Sequence, residues 1–257
     1  MEEPLIEWRK VSKAFGSKVI LDQVDLKVFP GEAVGVIGPS GTGKSTILKL
    51  LAGLIAPDTG EIYVRGQKRE RTIEQGEAPQ GIGLVFQQSA LFDSLTVGEN
   101  VGFSLIRHSK LSREKIQELT AEKLALVGMS NTQDLYPAEI SGGMRKRVSL
   151  ARAIISDPET ADDQLNILLY DEPTAGLDPV GSTRIETVIR ELLTVQKACS
   201  AYLMVTHVHS TIKLTTDRIV FLYQGKFQWE GTTDDAYRSE IPLLKQFFTG
   251  SIEGPIK

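Results

Sequence analysis

An α/β fold is predicted, with a mainly parallel central sheet, an N-terminal antiparallel β layer and an inserted helical subdomain. Three observations predict it. Short apolar runs such as Ala33–Ile37 and Ile167–Tyr170 read as buried strands, as in parallel sheets. The segments Leu5–Val11 and Ile20–Val28 alternate apolar and polar residues, as half-buried antiparallel strands do. Between Gln88 and Asn166 the apolar period changes to that of helices.

Taken in order, the first two strands turn at Gly16 and Ser17, next to Phe15, and Pro30–Gly31 leads into the strand Ala33–Ile37. The run Gly38–Ser45, GPSGTGKS, follows directly and opens a helix through Thr46, Ile47 and Leu48. Pro57, Asp58, Thr59 and Gly60 stop that region, and Glu61–Val64 returns as a strand. Gln67–Gln80 is polar, carries both charge signs and reads as a solvated loop. Ile82–Phe86 is a strand ending in Gln87 and Gln88, and helices are expected over Val97–Leu105, Ser112–Val127 and from Ser141 to about Ile155. After the strand Ile167–Tyr170 come a helix over Pro179–Gln196, a strand Ala201–Thr206, and a hairpin, Arg218–Tyr223 with Lys226–Glu230, around Gln224 and Gly225. The whole of 1–257 reads as one domain, with 1–87 and 167–257 forming the core and 88–166 the helical lobe.

Four places carry chemistry. In GPSGTGKS, Gly38, Gly41 and Gly43 let the backbone take positive φ, so that successive N–H groups and the following helix dipole face one anion. Pro39, Ser40 and Thr42 complete that phosphate loop; Lys44 adds charge at the β and γ phosphates, Ser45 a hydroxyl for Mg²⁺, and Thr46 a contact to the α-phosphate. Asp171 and Glu172 stand at a strand's carboxyl end, where one carboxylate can serve Mg²⁺ and the other accept a proton from water. Ser141, Gly142 and Gly143 open a helix, which makes them either a second phosphate site or a serine cap with flexible glycines. His207 ends a strand at the edge where ligands gather, which favours phosphate sensing, whereas His108 and His209 read as structural. Phe15 can stack on an adenine or cap the small core. Arg145, Lys146 and Arg147 read as a solvated helix face.

Composition bounds the alternatives. The 257 residues, 41% hydrophobic, suffice for a substantial core. A net charge of -4 argues against non-specific nucleic-acid binding, so no nucleic-acid partner is expected. The single cysteine, Cys199, excludes an internal disulfide and a thiolate metal cluster and suits a reducing compartment. Acidic residues near the start and the lack of a long apolar run predict a soluble chain without a signal peptide, on the cytoplasmic side.

Together and in this order, these elements resemble the nucleotide-binding subunit of an ABC transporter. The motifs are GPSGTGKS, Gln87 as the glutamine loop, Ser141–Met144 as the signature, ILLYDEP as the second Walker motif, Gly176–Asp178 as the D-loop, and His207 as the switch histidine. Met144 departs from the family's usual glutamine, and the acidic stretch Glu159–Asn166 is longer than its usual link. The resemblance implies a P-loop ATPase fold, ATP and Mg²⁺ as cofactors, and Phe15 stacking on the adenine. It implies Glu172, Gln87 and His207 as catalytic, Mg²⁺ on Ser45, Gln87 and Asp171, and Asp178 near the nucleotide. A head-to-tail homodimer is implied, each ATP completed by Ser141 and Gly143 of the other copy, as is an integral-membrane permease docking near Ala90–Val97. A narrower resemblance to the lipid-transporting Mla-type branch rests on ALFDSLTVGENV, Ala90–Val101, and on the ending Lys245–Gly250 with Glu253–Ile256. It implies lipid cargo and an MCE-domain lipid-binding partner, with no regulatory domain expected after the last strand. Small-solute import and soluble iron–sulfur cluster assembly are the alternatives.

Overall fold

A computed structural model of the chain describes residues 2–75, 81–159 and 166–257. Residues 76–80 of the expected solvated loop, and most of the acidic stretch 159–166, lie outside the described residues. The chain divides into two compact units, Met1–Pro79 with Ala201–Lys257, and Gln80–Ser200.

The first unit begins with β1 (Ile6–Phe15) and β2 (Lys18–Val28), paired antiparallel from Phe15 opposite Lys18 to Ile6 opposite Val28. Alternate residues of β1, Ile6 and Trp8, are buried, which is why the alternation was legible. The five residues of β3 (Ala33–Ile37) are all buried, and α1 (Lys44–Leu51) follows after six residues. Then β4 (Thr59–Val64) pairs antiparallel with β1, and the two-residue β5 (Gln67–Lys68) with β4. The loop expected over Gln67–Gln80 therefore starts as a strand, because backbone pairing with Tyr63 and Val64 holds its first residues in place; a 3₁₀ turn over Ile73–Gln75 follows.

The second unit takes the chain next. β6 (Ile82–Val85) is followed by the helices α2 (Val97–His108), α3 (Arg113–Leu126) and α4 (Gly142–Ile154). Thr96 and Glu99 form a reciprocal capping box that starts α2, and Ser112 caps α3. β7 (Ile167–Asp171) lies parallel to β6, and α5 (Pro179–Thr194) closes the unit.

The chain then returns to the first unit. β8 (Ala201–Val205) runs parallel to β3 on one side, and β9 (Arg218–Tyr223) parallel to it on the other, after α6 (His209–Thr215). β10 (Lys226–Thr232) pairs antiparallel with β9, and α7 (Thr233–Arg238) and α8 (Pro242–Thr249) end the order. Ile37, Ile212, Phe221 and Leu244 form a core onto which Phe247, Phe248 and Ile256 pack. The tail is pinned there by Ile256 N–H donating to Gln246 Oε1 (2.7 Å) and Tyr223 OH donating to the Pro255 carbonyl (2.9 Å). No helix among the described residues is long and apolar enough to cross a membrane.

Candidate functional site

In the first unit, buried β3 delivers the chain into the glycine-rich loop. The loop turns on residues with no Cβ: Gly38 has φ +147° and Gly43 +101°. A Cβ at Gly38 would lie 2.2 Å from the Leu222 carbonyl oxygen, and one at Gly43 2.1 Å from Ile20 Cγ2, so a side chain at either position would force its surroundings to shift. Lys44 folds back into the curl, its Nζ donating to the carbonyls of Gly38 and Pro39 at 2.8 Å each, while Thr42 Oγ1 donates to Pro39 O (2.9 Å). The lysine is thus buried, while Ser40, Gly41 and Ser45 are exposed and Thr46 is half-buried. Gly43 at the N-cap of α1 brings no side-chain acceptor to the first-turn amides. A lysine cation held by two loop carbonyls in the first turn of a helix with uncapped amides is the electrostatic form of a phosphate cradle.

Two further groups belong to this unit. Phe15, the last residue of β1, is 52% exposed. Its strand end is fixed by Asp58, which accepts from Lys13 Nζ and from the Ala14 N–H at 2.7 Å each, and the Lys13 ammonium lies 5.5 Å from the Phe15 ring. The two donors hold the Asp58 carboxyl below its usual range, Lys13 more than Ala14. His207 is exposed just beyond β8. His209 packs against the Phe247 and Phe248 rings, and its carbonyl accepts from Tyr237 OH (2.8 Å), in keeping with the structural reading of it.

In the second unit, β7 ends on Asp171, which is half-buried, and Glu172 follows, buried and left-handed at φ +46°. Oxygen donors of this kind suit a hard cation. Ser141 caps α4, its Oγ accepting from the Met144 N–H at 3.2 Å, so the cap reading describes this chain by itself. Gly142 is exposed and Gly143 half-buried beside it. Asp178 caps α5 through the Gly181 N–H (2.9 Å), and that bond above all lowers its carboxyl pKa. Burial pushes the Cys199 thiol up to about 12, which removes it as a nucleophile at neutral pH.

Gln87 is exposed on the segment leaving β6, and here the sequence reading needs correction. Of Arg145, Lys146 and Arg147, Lys146 is buried and not part of a solvated face, whereas Arg145 is exposed and Arg147 half-buried. Arg145 Nη1 donates to Ile140 O (2.9 Å), Arg147 Nη1 to Gly128 O (2.8 Å), and buried Lys146 donates through Nζ to the Gln87 carbonyl. Burial pushes the Lys146 pKa down, against the opposing pull of Asp171 and Glu172. Arg152 reaches the same segment, donating to Ser89 O (2.8 Å) and Ala90 O (2.7 Å). Further along, fully buried Asn100 donates to the Phe92, Leu95 and Thr96 carbonyls and accepts from the Phe92 N–H. Lys146, Arg152 and Asn100 had no assigned part in the sequence reading. One signal was available for Lys146: it stands three and four residues before buried Ser149 and Leu150, on the inward stripe of α4.

A family profile described as ABC transporter matches residues 21–175. The chain is 53% identical to "Protein TRIGALACTOSYLDIACYLGLYCEROL 3, chloroplastic" of Arabidopsis thaliana, over 98% of this chain and 76% of that one. It is 37% identical to the "Probable ribonucleotide transport ATP-binding protein mkl" of Mycobacterium tuberculosis (98% and 68%). It is 33% identical to the "Intermembrane phospholipid transport system ATP-binding protein MlaF" of Haemophilus influenzae (100% and 95%). Among solved structures, the dimeric post-hydrolysis state of the ATP-binding cassette MJ0796, bound to ADP and Pi, superposes with a TM-score of 0.74 at 29% identity, covering 89% of this chain and 98% of that one.

Proposed function

The chain belongs to the ABC transporter family as an ATP-binding, ATP-hydrolysing subunit, and from that premise we propose that it powers a permease that moves phospholipids or related lipids. Cassettes of this family dimerise and pair with membrane permease components. The lipid assignment is carried by the end-to-end match to the ATP-binding protein of an intermembrane phospholipid transport system. The relative named for trigalactosyldiacylglycerol supports it.

In this reading Lys44 and the backbone N–H groups of the loop, Pro39 excepted, neutralise and orient the triphosphate, and Phe15 stacks on the adenine. Glu172 accepts the proton of the attacking water, while Gln87 and His207 orient that water and the γ-phosphate. Ser45, Gln87 and Asp171 offer the oxygens that would hold Mg²⁺, which supplies positive charge against the β and γ phosphate oxygens when bound. Ser141, Gly142, Gly143 and Asp178 serve the nucleotide of the second copy. The permease docks on Ala90–Val97, where Asp93 and Ser94 are exposed and Phe92 is 45% exposed against Phe103. An MCE-domain lipid-binding protein completes the assembly, and the subunit sits at the membrane through its permease.

The experiment is affinity purification of the tagged subunit with its membrane partner, followed by mass spectrometry of the bound small molecules. Enrichment of a phospholipid or galactolipid over the bulk membrane is the expected result. Enrichment of ribonucleotides other than the ATP and ADP of the cassettes would favour the second reading, which the mkl relative's name supports. Co-purification of soluble scaffold proteins without a membrane partner would overturn both.

A further inference from the structure

The segment from Gln87 to Ala90 is held in an unusual way. Ser89 and Ala90 stand at φ +58° and +48°, in the left-handed region that side-chain-bearing residues rarely occupy unless their surroundings enforce it. Short local bonds come from the segment itself: Ser89 N–H to Phe86 O (3.1 Å) and Ala90 N–H to Gln88 O (2.6 Å). The carbonyls of Gln87, Ser89 and Ala90 are taken by cations from one helix, Lys146 and Arg152 of α4. The N-cap of that same helix is Ser141.

We propose that Lys146 is a positioning residue that couples the signature turn to the glutamine loop, so that Gln87 follows the placement of α4. This rests on the roles proposed above for Gln87 and for Ser141. Given them, the lysine has a consequence for the dimer. Ser141 and Gly143 serve the nucleotide of the second copy, while Gln87 serves the chain's own. A shift of α4 on engaging the second copy's nucleotide is therefore passed, through one buried ammonium and one carbonyl, to the water-orienting glutamine of the other site. A charged donor to a carbonyl is a strong, directional bond, and the lysine that makes this one is buried, which limits the positions its amine can take.

The test compares Lys146→Met, which keeps length and helix propensity but removes the donor, with Lys146→Arg, which restores one. Three readouts are taken: amide hydrogen exchange over residues 86–92, ATPase kinetics with their dependence on ATP concentration, and the melting temperature. Lys146→Met should speed exchange in that segment and lower kcat, each on the order of tenfold for one charge-assisted bond. KM for ATP should stay within about twofold because the phosphate loop is untouched, and the cooperativity in ATP should fall. Lys146→Arg should recover kcat and slow exchange again. Gln87→Ala is measured alongside. If it retains normal kcat, the role given to Gln87 fails, while the exchange data still report on the link itself. If Gln87→Ala loses turnover but Lys146→Met changes neither exchange nor kcat, the coupling is overturned. A uniform loss explained by a lower melting temperature, with no recovery by arginine, overturns it as well.

Discussion

The phosphate loop and the glutamine loop both follow a strand of a parallel pair, yet they are held in opposite ways. Around Lys44 the fixing bonds are local: those of the lysine reach back five and six residues, and that of Thr42 three. Around Gln87 the fixing bonds come from 59, 62 and 63 residues away, from Lys146 and Arg152. The first loop is a shape written into its own glycines. The second is a shape imposed by another element, and so one that another element can change. If Gln87 orients the attacking water as proposed, the division is sensible: phosphate binding needs a preformed cradle, whereas a water-orienting group has to respond to the rest of the assembly.

The largest effect should come from the chemistry that this comparison leaves fixed. Glu172→Gln keeps the side chain's size, and its backbone at φ +46° is no harder for glutamine than for glutamate. Hydrolysis should fall roughly a hundredfold or more, the scale of losing a general base, while nucleotide binding persists and ATP traps a dimer visible by size-exclusion chromatography. Near-normal turnover would move the base to another residue.

The next effect sharpens the claim that the phosphate loop is locally determined. Gly38→Ala and Gly43→Ala should each weaken ATP binding by about tenfold or more, since a Cβ is both badly placed in φ and in collision. The collisions differ in kind: the Leu222 backbone oxygen cannot be trimmed, whereas Ile20 Cγ2 can. Adding Ile20→Ala should therefore recover part of the affinity lost at Gly43 and none of that lost at Gly38, as read by titration with a fluorescent ATP analogue. Equal recovery at both positions would show that the loop yields as a whole and would erase the contrast with the glutamine loop.

The same contrast explains what could be read from the sequence. Glycine spacing, a strand before and a helix after are local facts, and the φ values of +147°, +76° and +101° at Gly38, Gly41 and Gly43 are those the motif called for. The strands β1, β3, β7 and β8 were legible from alternation or from continuous apolarity. Lys146 was legible only as a position on the inward stripe of α4; between two arginines it looks solvated, and its partner, a carbonyl 59 residues upstream, is given by no local pattern. Asn100 was missed likewise: its worth lies in four bonds to a loop whose path no local pattern gives. The strand β5 was missed for its length, two residues whose state is fixed by the partner strand alone.

The smallest effect concerns the edge of the phosphate-loop unit, where one long-range contact does matter. Asp58 reaches 44 and 45 residues back to Ala14 and Lys13 and so fixes the strand end that presents Phe15. Its side chain is 46% exposed, so solvent screens the pair and its contribution to stability is modest. Its carboxyl is nevertheless held below the ordinary range, and the sign follows from that. A depressed folded pKa contributes stability that is present above the unfolded value and lost as the pH falls through the folded one. Asp58→Asn should therefore lower the melting temperature slightly at neutral pH, and the difference from wild type should shrink on acidification through the carboxylate range. If Phe15 stacks on the adenine, the same variant should weaken ATP binding by about twofold to threefold and leave the binding of inorganic triphosphate, which has no base to stack, unchanged. Equal weakening of both ligands would place the effect in the loop itself. No weakening of either would mean that Phe15 does not need its strand end held.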